Sequence, residues 1–343
     1  MGSVVSTGPF FVHRPMMAED ISATARRLLM EGRRDAAVAL IESAVAKEDP
    51  DALFQQGLWR LMGDILARDL PAARIAFRRS GDLGHGEARL IDIALTANGS
   101  GAPADWSEAM RLLSGTVAAG DAHAKQLDML LAAMGLDERG DPIRLPAIES
   151  LVPNGSVRRV RAFMTPDECA HIARSAADLL APSQVMDPRT GRATPHPIRT
   201  SDAAVIGPVR EDPVIRAINV RIARISGTAV MQGEALTVLR YSPGQQFKLH
   251  SDVLPHVRNQ RVSTVIVYLN EGFAGGETLF PHHDLKIVPN GGDAIIFDNV
   301  DAKGRPLDSA RHAGAAPRSG VKWIATRWIR ARPFDVWQGP ESV

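Results

Sequence analysis

A repeat in the first half of the chain limits what that half can fold into. Segments that begin at Ala37, Ala73 and Ala109 lie 36 residues apart and can be superposed. Three sets of residues coincide: Ala37/Ala73/Ala109, Ile41/Phe77/Leu113 and Ala52/Ala88/Ala124. From Glu19 to about Met134 apolar residues recur at spacings of three and four, which indicates amphipathic helices. A period of this length with small residues at fixed places predicts stacked helix pairs, because small side chains let neighbouring helices approach closely.

The repeat resembles the Sel1-like branch of tetratricopeptide repeats. It has A-x3-[IFL] in one helix and G-x3-A at the start of the next, in three units, of which the first lacks the glycine found at Gly84 and Gly120. A plain helical bundle remains the alternative fold. Stacked helix pairs offer a concave surface to peptides or partner proteins, and they can also serve as a scaffold or a dimerisation arm.

Glycine and proline residues between Gly135 and Pro153 end the helical period, so we expect a domain boundary there. A short strand is predicted at Ser156–Phe163. Two helices, at Thr165–Leu180 and Asp212–Ser226, and a polar loop at Pro182–Pro208 follow before the run of short strands that begins at Ala235, and the first helix opens on a capping box, Thr165–Glu168. Many short antiparallel strands are typical of a jelly roll. The predicted fold class is α+β: an N-terminal α-helical repeat (solenoid), then a double-stranded β-helix (jelly-roll) barrel with supporting helices. We expect a flexible tail at 1–18, the repeat domain at 19–148 and the jelly-roll domain at 149–343.

Composition favours a cytoplasmic protein with no nucleic-acid or membrane partner. The formal net charge of +1 provides no long-range field to attract either one. Cys169 is the only cysteine, so no intrachain disulfide can form and a reducing compartment is expected. No apolar run approaches the roughly 20 residues of a membrane helix, and Met1–Pro15 lacks the pattern of a secretory signal.

The stretch Tyr241–Asp252, Y-S-P-G-Q-Q-F-K-L-H-S-D, ends in a His-x-Asp pair on a predicted strand. Alternate side chains of a strand share a face, so His250 and Asp252 can hold one metal ion. Two histidines and one carboxylate are the ligands of non-haem Fe(II) oxygenases. A second copy of the pair, His282 and Asp284, follows an apparent turn, and we expect it to lie in a solvated loop.

Two downstream residues complete the pattern. His312 lies in D-S-A-R-H-A-G, and Lys322 follows in G-V-K-W-I-A-T-R-W. Strand alternation places Lys322, Ile324, Thr326 and Trp328 on one face, which surrounds the lysine with apolar neighbours. A dicarboxylate drawn into an apolar site needs such a cation, because an unpaired buried charge is costly.

With these motifs, the region from Leu151 to Phe334 resembles the prolyl 4-hydroxylase family of Fe(II)/2-oxoglutarate dioxygenases. Its matching pieces are Y-x2-G-x2-F-x2-H-x-D, R-x2-T-x3-Y-L-N, F-x-G-G-E-T-x-F-P, P-x-x-G-D-A-I-x-F and S-x-x-H-A-G followed by G-x-K-W. The resemblance implies that His250, Asp252 and His312 bind Fe(II) and that Lys322 binds the distal carboxylate of 2-oxoglutarate. It further implies that Tyr241 and Thr264 contact the co-substrate and that Arg199, in R-T-S, contacts the substrate. Tyr268 lies on the same strand face as Thr264, so we expect it to contact the co-substrate as well.

The expected activity is hydroxylation of an unactivated C–H bond, with O2 as oxidant, 2-oxoglutarate converted to succinate and ascorbate as reductant. A helical repeat beside such a domain favours a prolyl residue in a protein or peptide that docks partly on the repeats. One alternative is a hydroxylase of a free amino acid or small metabolite, with the repeats serving dimerisation. The other is a binding scaffold without turnover. The substrate, the hydroxylated atom, the oligomeric state and the pathway do not follow from the sequence.

Overall fold

The computed structural model describes residues 20–186, 193–195 and 198–339, so the predicted tail at 1–18 lies outside the described residues. Helices occupy the first part of the described chain, as the repeat predicts. They are α1 (Ile21–Met30), α2 (Arg34–Val45), α3 (Pro50–Met62), α4 (Leu70–Asp82), α5 (Gly86–Asn98), α6 (Trp106–Ala118) and α7 (Ala122–Ala133). None of the described helices is both long and apolar enough to cross a bilayer.

The helices keep the period of the sequence. Arg34, Leu70 and Trp106 begin α2, α4 and α6, each 36 residues after the last, and α3, α5 and α7 begin with the same spacing. The caps repeat as well: the side chains of Asp49, His85 and Asp121 accept hydrogen bonds from the backbone N–H three residues on, at 2.9, 3.1 and 2.8 Å. These bonds satisfy a donor that the first helical turn leaves unpaired. The predicted helical repeat is therefore confirmed.

At the turn before the second helix of each repeat unit, the first unit has a residue other than glycine. Gly84 and Gly120 precede α5 and α7 with φ of 99° and 93°, in the left-handed region. Glu48 occupies the matching place before α3 with φ 58°. A residue with a side chain pays roughly 1–2 kcal/mol there. The first unit thus keeps the turn geometry without the residue that favours it.

Contacts divide the chain into two compact units, Met1–Arg89 and Leu90–Val343. In the first, a core forms around Ala37, Ile41 and Trp59. In the second, Leu113 of α6 and Leu127 of α7 belong to the same hydrophobic cluster as the helices and sheet of the jelly roll. The domain boundary expected between residues 148 and 149 stays a prediction.

Sixteen strands follow the helical repeat among the described residues. They are β1 (Ile148–Ser150), β2 (Val157–Val160), β3 (Ala181–Pro182), β4 (Gln184–Met186), β5 (Ala193–Pro195), β6 (Asp202–Ile206), β7 (Leu236–Tyr241), β8 (Phe247–His250), β9 (Arg261–Tyr268), β10 (Ala274–Gly275), β11 (Thr278–Phe280), β12 (Leu285–Ile287), β13 (Ala294–Asp298), β14 (His312–Gly314), β15 (Pro317–Ser319) and β16 (Lys322–Arg330). The expectation of a loop at Pro182–Pro208 was wrong at β4, β5 and β6. In β6, Ala204 and Ile206 are buried and Val205 is exposed.

The strands form two main antiparallel sheets. The large sheet has the order β1-β2-β13-β9-β16-β7-β6-β3, and the small sheet has the order β12-β11-β14-β8. Tyr241 and Ile266 of the large sheet share a core with Phe280 and Ile287 of the small one, so the two sheets pack face to face. This is the predicted jelly roll, although the hydrogen bonds of the described strands give two sheets rather than one closed barrel.

The two predicted supporting helices cover the other face of the large sheet. They are α8 (Pro166–Ala176) and α9 (Pro213–Ser226). Thr165 and Glu168 form the expected capping box at the start of α8. Ile172 of α8 and Ile218 of α9 pack in one cluster with Val265 of the sheet. This packing leaves the opposite face of the large sheet to the small sheet and the site between them.

Candidate active site

A cavity lies between the two sheets. Its walls are formed by Leu239, Tyr241, Phe247, His250, Asp252, Ile266, Thr278, His312, Gly314, Lys322, Ile324, Thr326 and Trp328. The four alternate residues of β16 that the sequence placed on one face all line it. Three buried polar atoms of this wall have no partner among the described residues: His250 Nε2, Thr326 Oγ1 and Trp328 Nε1. Because buried polar groups are almost always hydrogen-bonded, such a wall is suited to a polar ligand.

The structure brings the three predicted metal ligands together. His250 ends β8 and lies directly opposite His312 at the start of β14, while Asp252 follows two residues after His250. His250 Nε2 lies 3.6 Å from Asp252 Oδ1, and His312 Nε2 lies 4.0 Å from Asp252 Oδ2. Among the described residues these form the one group of His, Cys, Asp and Glu side chains that could hold a metal ion.

Both imidazoles are oriented by the backbone. The Nδ1 atoms of His250 and His312 lie 2.8 and 3.1 Å from the carbonyl oxygens of Lys248 and Ala310. A carbonyl oxygen only accepts, so each Nδ1 carries a proton, and in a neutral imidazole with this tautomer the lone pair lies on Nε2. The Nε2 of His250 is buried without a partner in the described chain. A divalent iron bound by these atoms and by Asp252 would satisfy it, and the donor set matches that of Fe(II) oxygenases.

The charges of His312 and Asp252 also suit a metal. Burial lowers the pKa of His312 to about 4, so its ring is neutral at pH 7. Burial by itself would raise the pKa of Asp252, but the interactions with His250 and His312 outweigh it and hold that pKa below its usual range. Neutral imidazoles and an ionised carboxylate are the forms that bind metal.

A bulge in β8 positions an aromatic ring against His250. The pairing of β8 with β14 shifts by one residue, since His312 pairs with His250 and Gly314 pairs with Phe247. Phe247 and His250 therefore lie on the same side of the strand, and their rings stack with centroids 3.5 Å apart. A bulge is a common means of redirecting a side chain next to an active site.

Lys322 lies at another part of the cavity wall and is 2% exposed. Its ammonium donates to the carbonyl oxygen of Gly276 at 2.7 Å and lies 5.5 Å from the ring centroids of Tyr241 and Tyr268. Burial lowers its pKa to about 8, with Glu277 acting in the opposite direction. Among the described side chains no carboxylate forms an ion pair with this ammonium. The site therefore holds a cation suited to an incoming carboxylate.

The two tyrosines flank this lysine in different ways. Tyr241 lines the cavity beside Lys322, its register partner on the neighbouring strand. Burial raises the pKa of Tyr241 to about 12, so its hydroxyl stays protonated and can donate. The hydroxyl of Tyr268 is 2.7 Å from Thr278 Oγ1, and burial raises the pKa of Tyr268 as well. Contact of either hydroxyl with a co-substrate stays a prediction.

Thr264 holds the carboxylate of Asp252. Its hydroxyl donates to Asp252 Oδ2 at 2.7 Å and accepts from Asn299 Nδ2 at 2.9 Å. The sequence did not indicate this role, and Asn299 did not stand out at all. Contact between Thr264 and a co-substrate stays a prediction.

Arg199 lies near the cavity, in the segment that precedes β6. Its backbone bridges to that of Phe247, and its guanidinium lies 5.4 Å from the Phe247 ring centroid. Its Nε donates to Ser183 Oγ at 3.1 Å. Burial lowers the pKa of Arg199, and Tyr241 and Asp252 are close enough to influence it.

The second His-x-Asp pair lies elsewhere. His282 is exposed on a 3-10 turn, Pro281–His283, and exposed Asp284 follows in a left-handed conformation with φ 47°. Neither residue belongs to the candidate metal group. The prediction of a solvated surface position is confirmed.

Comparison with known proteins agrees with this geometry. A model of the 2OG-Fe(II) oxygenase superfamily matches residues 236–330. Prolyl 4-hydroxylase 1 of Arabidopsis thaliana is 32% identical over 217 residues, which cover 57% of this chain and 77% of the relative. This chain belongs to the prolyl 4-hydroxylase family. As a member of that family it is an iron(II)- and 2-oxoglutarate-dependent dioxygenase, which confirms the predicted enzyme class and the requirement for iron, 2-oxoglutarate and O2.

Two solved structures are also similar to parts of the dioxygenase. The viral collagen prolyl hydroxylase of Paramecium Bursaria Chlorella virus-1, in a 2OG complex, is 28% identical, with a TM-score of 0.43, over 52% of this chain and 97% of that chain. A Sel1 repeat protein from Oxalobacter formigenes is 26% identical, with a TM-score of 0.27, over 29% of each chain.

Proposed function

We propose that His250, Asp252 and His312 bind the iron of this dioxygenase and that the enzyme hydroxylates a prolyl residue in a protein or peptide. The observation that carries the proposal is the convergence of these three side chains and buried Lys322 on one cavity. A candidate metal site beside a buried cation that forms no ion pair with a described carboxylate suits a co-substrate that chelates with one end and carries a carboxylate at the other.

Each group has a distinct part in this proposal. Bound iron supplies the oxidising chemistry with O2 and 2-oxoglutarate. Lys322 binds the distal carboxylate, and protonated Tyr241 donates a hydrogen bond beside it. The Nδ1–carbonyl bonds fix both imidazoles. Binding and orientation of this kind are the protein's contribution in enzymes whose cofactor performs the chemistry.

The proposed substrate class follows from the relatives, which are named prolyl 4-hydroxylases. The position of Arg199 beside Phe247, at the cavity, supports a contact with the substrate. We infer that ascorbate serves as reductant. Cys169, the sole cysteine, is buried and free, which supports a reducing, cytoplasmic setting.

Mass spectrometry of native proteins and peptides tests the reaction. A lysate is incubated with the enzyme, Fe(II), ascorbate and 2-oxoglutarate, and Asp252→Ala serves as the matched control. We expect prolyl residues to gain one oxygen atom only with the wild-type enzyme. Oxygen gained by a free amino acid or metabolite instead would establish the alternative substrate class. Modification that persists with Asp252→Ala would contradict the site assignment.

We propose that the repeats contribute to docking of the protein substrate. Two shortened chains test this and the domain boundary together. Residues 84–343 keep α5 to α7, whose Leu113 and Leu127 belong to the jelly-roll cluster, whereas residues 149–343 lack them. We expect the longer chain to bind 2-oxoglutarate normally and to show a raised KM for protein substrate, and the shorter one to unfold at lower temperature. An unchanged KM would count against docking, and equal stability of the two chains would favour the boundary at 148.

A further inference from the structure

We propose that Thr264, held in place by Asn299, is a positioning residue that determines which oxygen of Asp252 faces the iron. The inference rests on the proposed assignment of His250, Asp252 and His312 as ligands. It concerns a chain of three buried side chains, Asn299, Thr264 and Asp252, which are 1, 0 and 5% exposed.

The direction of the hydrogen bonds follows from the chemistry of the three groups. A carboxylate that binds a metal carries no proton, so the Asp252 oxygens can only accept. Thr264 must therefore use its single proton in the 2.7 Å bond to Asp252 Oδ2. The amide at 2.9 Å must in turn donate to Thr264 Oγ1, which requires the Nδ2 side of Asn299 to face the threonine. Asn299 therefore donates to Thr264, and Thr264 donates to Asp252.

The consequence concerns rotation of the carboxylate. Nothing in an isolated aspartate distinguishes its two oxygens, which exchange by rotation about the last side-chain bond. Here Oδ2 is engaged by Thr264 and lies 4.0 Å from His312 Nε2, whereas Oδ1 lies closer to a histidine, 3.6 Å from His250 Nε2. Holding Oδ2 leaves Oδ1 as the metal ligand. Hydrogen bonds of this kind typically change metal affinity by roughly 10- to 100-fold when they are removed.

The fold makes the arrangement rigid. Thr264 lies within β9, where Phe297 of β13 is its register partner, and Asn299 follows directly after β13. The backbone of Asn299 is fixed on both sides, since its N–H donates to Val262 O at 2.8 Å and its carbonyl accepts from Leu307 N at 3.0 Å. The chain from Asn299 to Asp252 is therefore anchored in the large sheet. Because Thr264 uses its single hydroxyl proton in the bond to Asp252, it cannot donate that proton to 2-oxoglutarate. The family resemblance had implied a contact of Thr264 with the co-substrate.

Metal affinity measured without turnover tests the inference. The full-length, metal-free protein is titrated with Co(II) by calorimetry in the absence of 2-oxoglutarate, with thermal unfolding of the metal-free forms as a check on the fold. Thr264→Val, which keeps the shape and removes the hydroxyl, should weaken Co(II) binding by roughly 10- to 100-fold. Thr264→Ser keeps the hydroxyl and should keep wild-type affinity. Asn299→Ala should weaken binding less, and it should add nothing in the Thr264→Val background, because it acts through Thr264.

The outcomes separate three accounts. Wild-type Co(II) affinity in folded Thr264→Val would overturn the inference, and a loss confined to 2-oxoglutarate affinity in the Co(II)-loaded variant would assign Thr264 to the co-substrate instead. If Thr264→Val does not fold, wild-type affinity in Asn299→Ala overturns the inference and a loss without a lowered melting temperature supports it. Failure of the ligand assignment itself is recognised separately, since the wild-type protein would then bind Co(II) no better than His250→Ala.

Discussion

The chain contains the His-x-Asp pattern twice, and one copy is buried whereas the other is exposed. His250 and Asp252 are 7 and 5% exposed at the end of a strand between two sheets. His282 and Asp284 are exposed around a 3-10 turn. The first pair meets a second histidine, His312, from the adjacent strand, whereas the second pair belongs to no such group among the described residues.

The two copies show that the residues around a His-x-Asp pair decide whether its side chains are oriented for a metal. In the first pair, Thr264 holds the carboxylate and a backbone carbonyl holds the imidazole. In the second pair, Asp284 adopts a left-handed conformation, so the alternation that aligns two side chains along a strand is absent. Burial and orientation, rather than residue type, distinguish the candidate metal site from the surface turn.

Metal binding should separate the two pairs most strongly. We expect His250→Ala to abolish tight Co(II) binding, because two remaining ligands hold the ion poorly, and His282→Ala to bind as the wild type does. Calorimetric titration of both variants measures this. Equal losses in the two variants would break the comparison.

Two lysines extend the comparison to the co-substrate. Lys322 is buried in the cavity, whereas Lys286 is exposed and lies 3.2 Å from Glu277. Removing one partner of a buried charge pair costs about 3–5 kcal/mol, so Lys322→Ala should weaken 2-oxoglutarate binding by roughly 10²- to 10³-fold. Lys286→Ala should have no effect, and Lys322→Arg should recover only part of the loss, because a planar guanidinium needs a differently shaped site.

The measurement is 2-oxoglutarate titration of the Mn(II)-loaded protein. Wild-type affinity in Lys322→Ala would mean that another cation binds the carboxylate. Arg327 is poorly placed to do so, since it donates to the carbonyl oxygens of Glu234 and Val230 and is absent from the cavity wall.

The lowered pKa of Lys322 predicts a pH dependence. Without co-substrate, Lys322 has a pKa of about 8. A bound carboxylate raises that pKa because it favours the charged ammonium. Binding therefore takes up a proton above pH 8, and affinity should fall by up to about tenfold per pH unit until the pKa of the complex is reached. Titrations from pH 6.5 to 9.5 measure the slope, with Lys322→Arg as control because its guanidinium stays charged. A slope that persists in this variant would assign the titration to another group.

The smallest expected effect concerns Glu48, where the repeat places a non-glycine residue in a glycine position. Glu48→Gly relieves a left-handed conformation but loses the exposed ion pair with Arg79 at 2.7 Å, so we expect at most about 1 kcal/mol of added stability. Gly84→Ala should destabilise by about 1 kcal/mol for the converse reason. Chemical denaturation measures both, and Glu48→Gln isolates the ion pair. A Glu48→Gly variant less stable than Glu48→Gln would contradict the role of backbone conformation.

Local patterns predicted the features that depend on spacing. The helical repeat, the capped start of α8 and the shared face of Lys322 and Trp328 all follow from periodicity or capping, and the structure has each of them. The strand β6 was missed because the apolar run Ala203–Ile206 is short and lies within a largely polar segment, which was predicted as a loop. Asn299 could not be found from spacing, because its role depends on pairing between β9 and β13, which only the fold creates.

Fe(II)-dependent formation of succinate from 2-oxoglutarate tests whether the first His-x-Asp pair, and not the second, serves catalysis. The two carboxylates of the repeated pattern provide the matched variants, Asp252→Ala and Asp284→Ala, measured beside the wild-type protein with and without Fe(II). The account predicts succinate from the wild-type and Asp284→Ala proteins only when Fe(II) is present, and none from Asp252→Ala. Succinate formation by Asp252→Ala at the wild-type rate would contradict it.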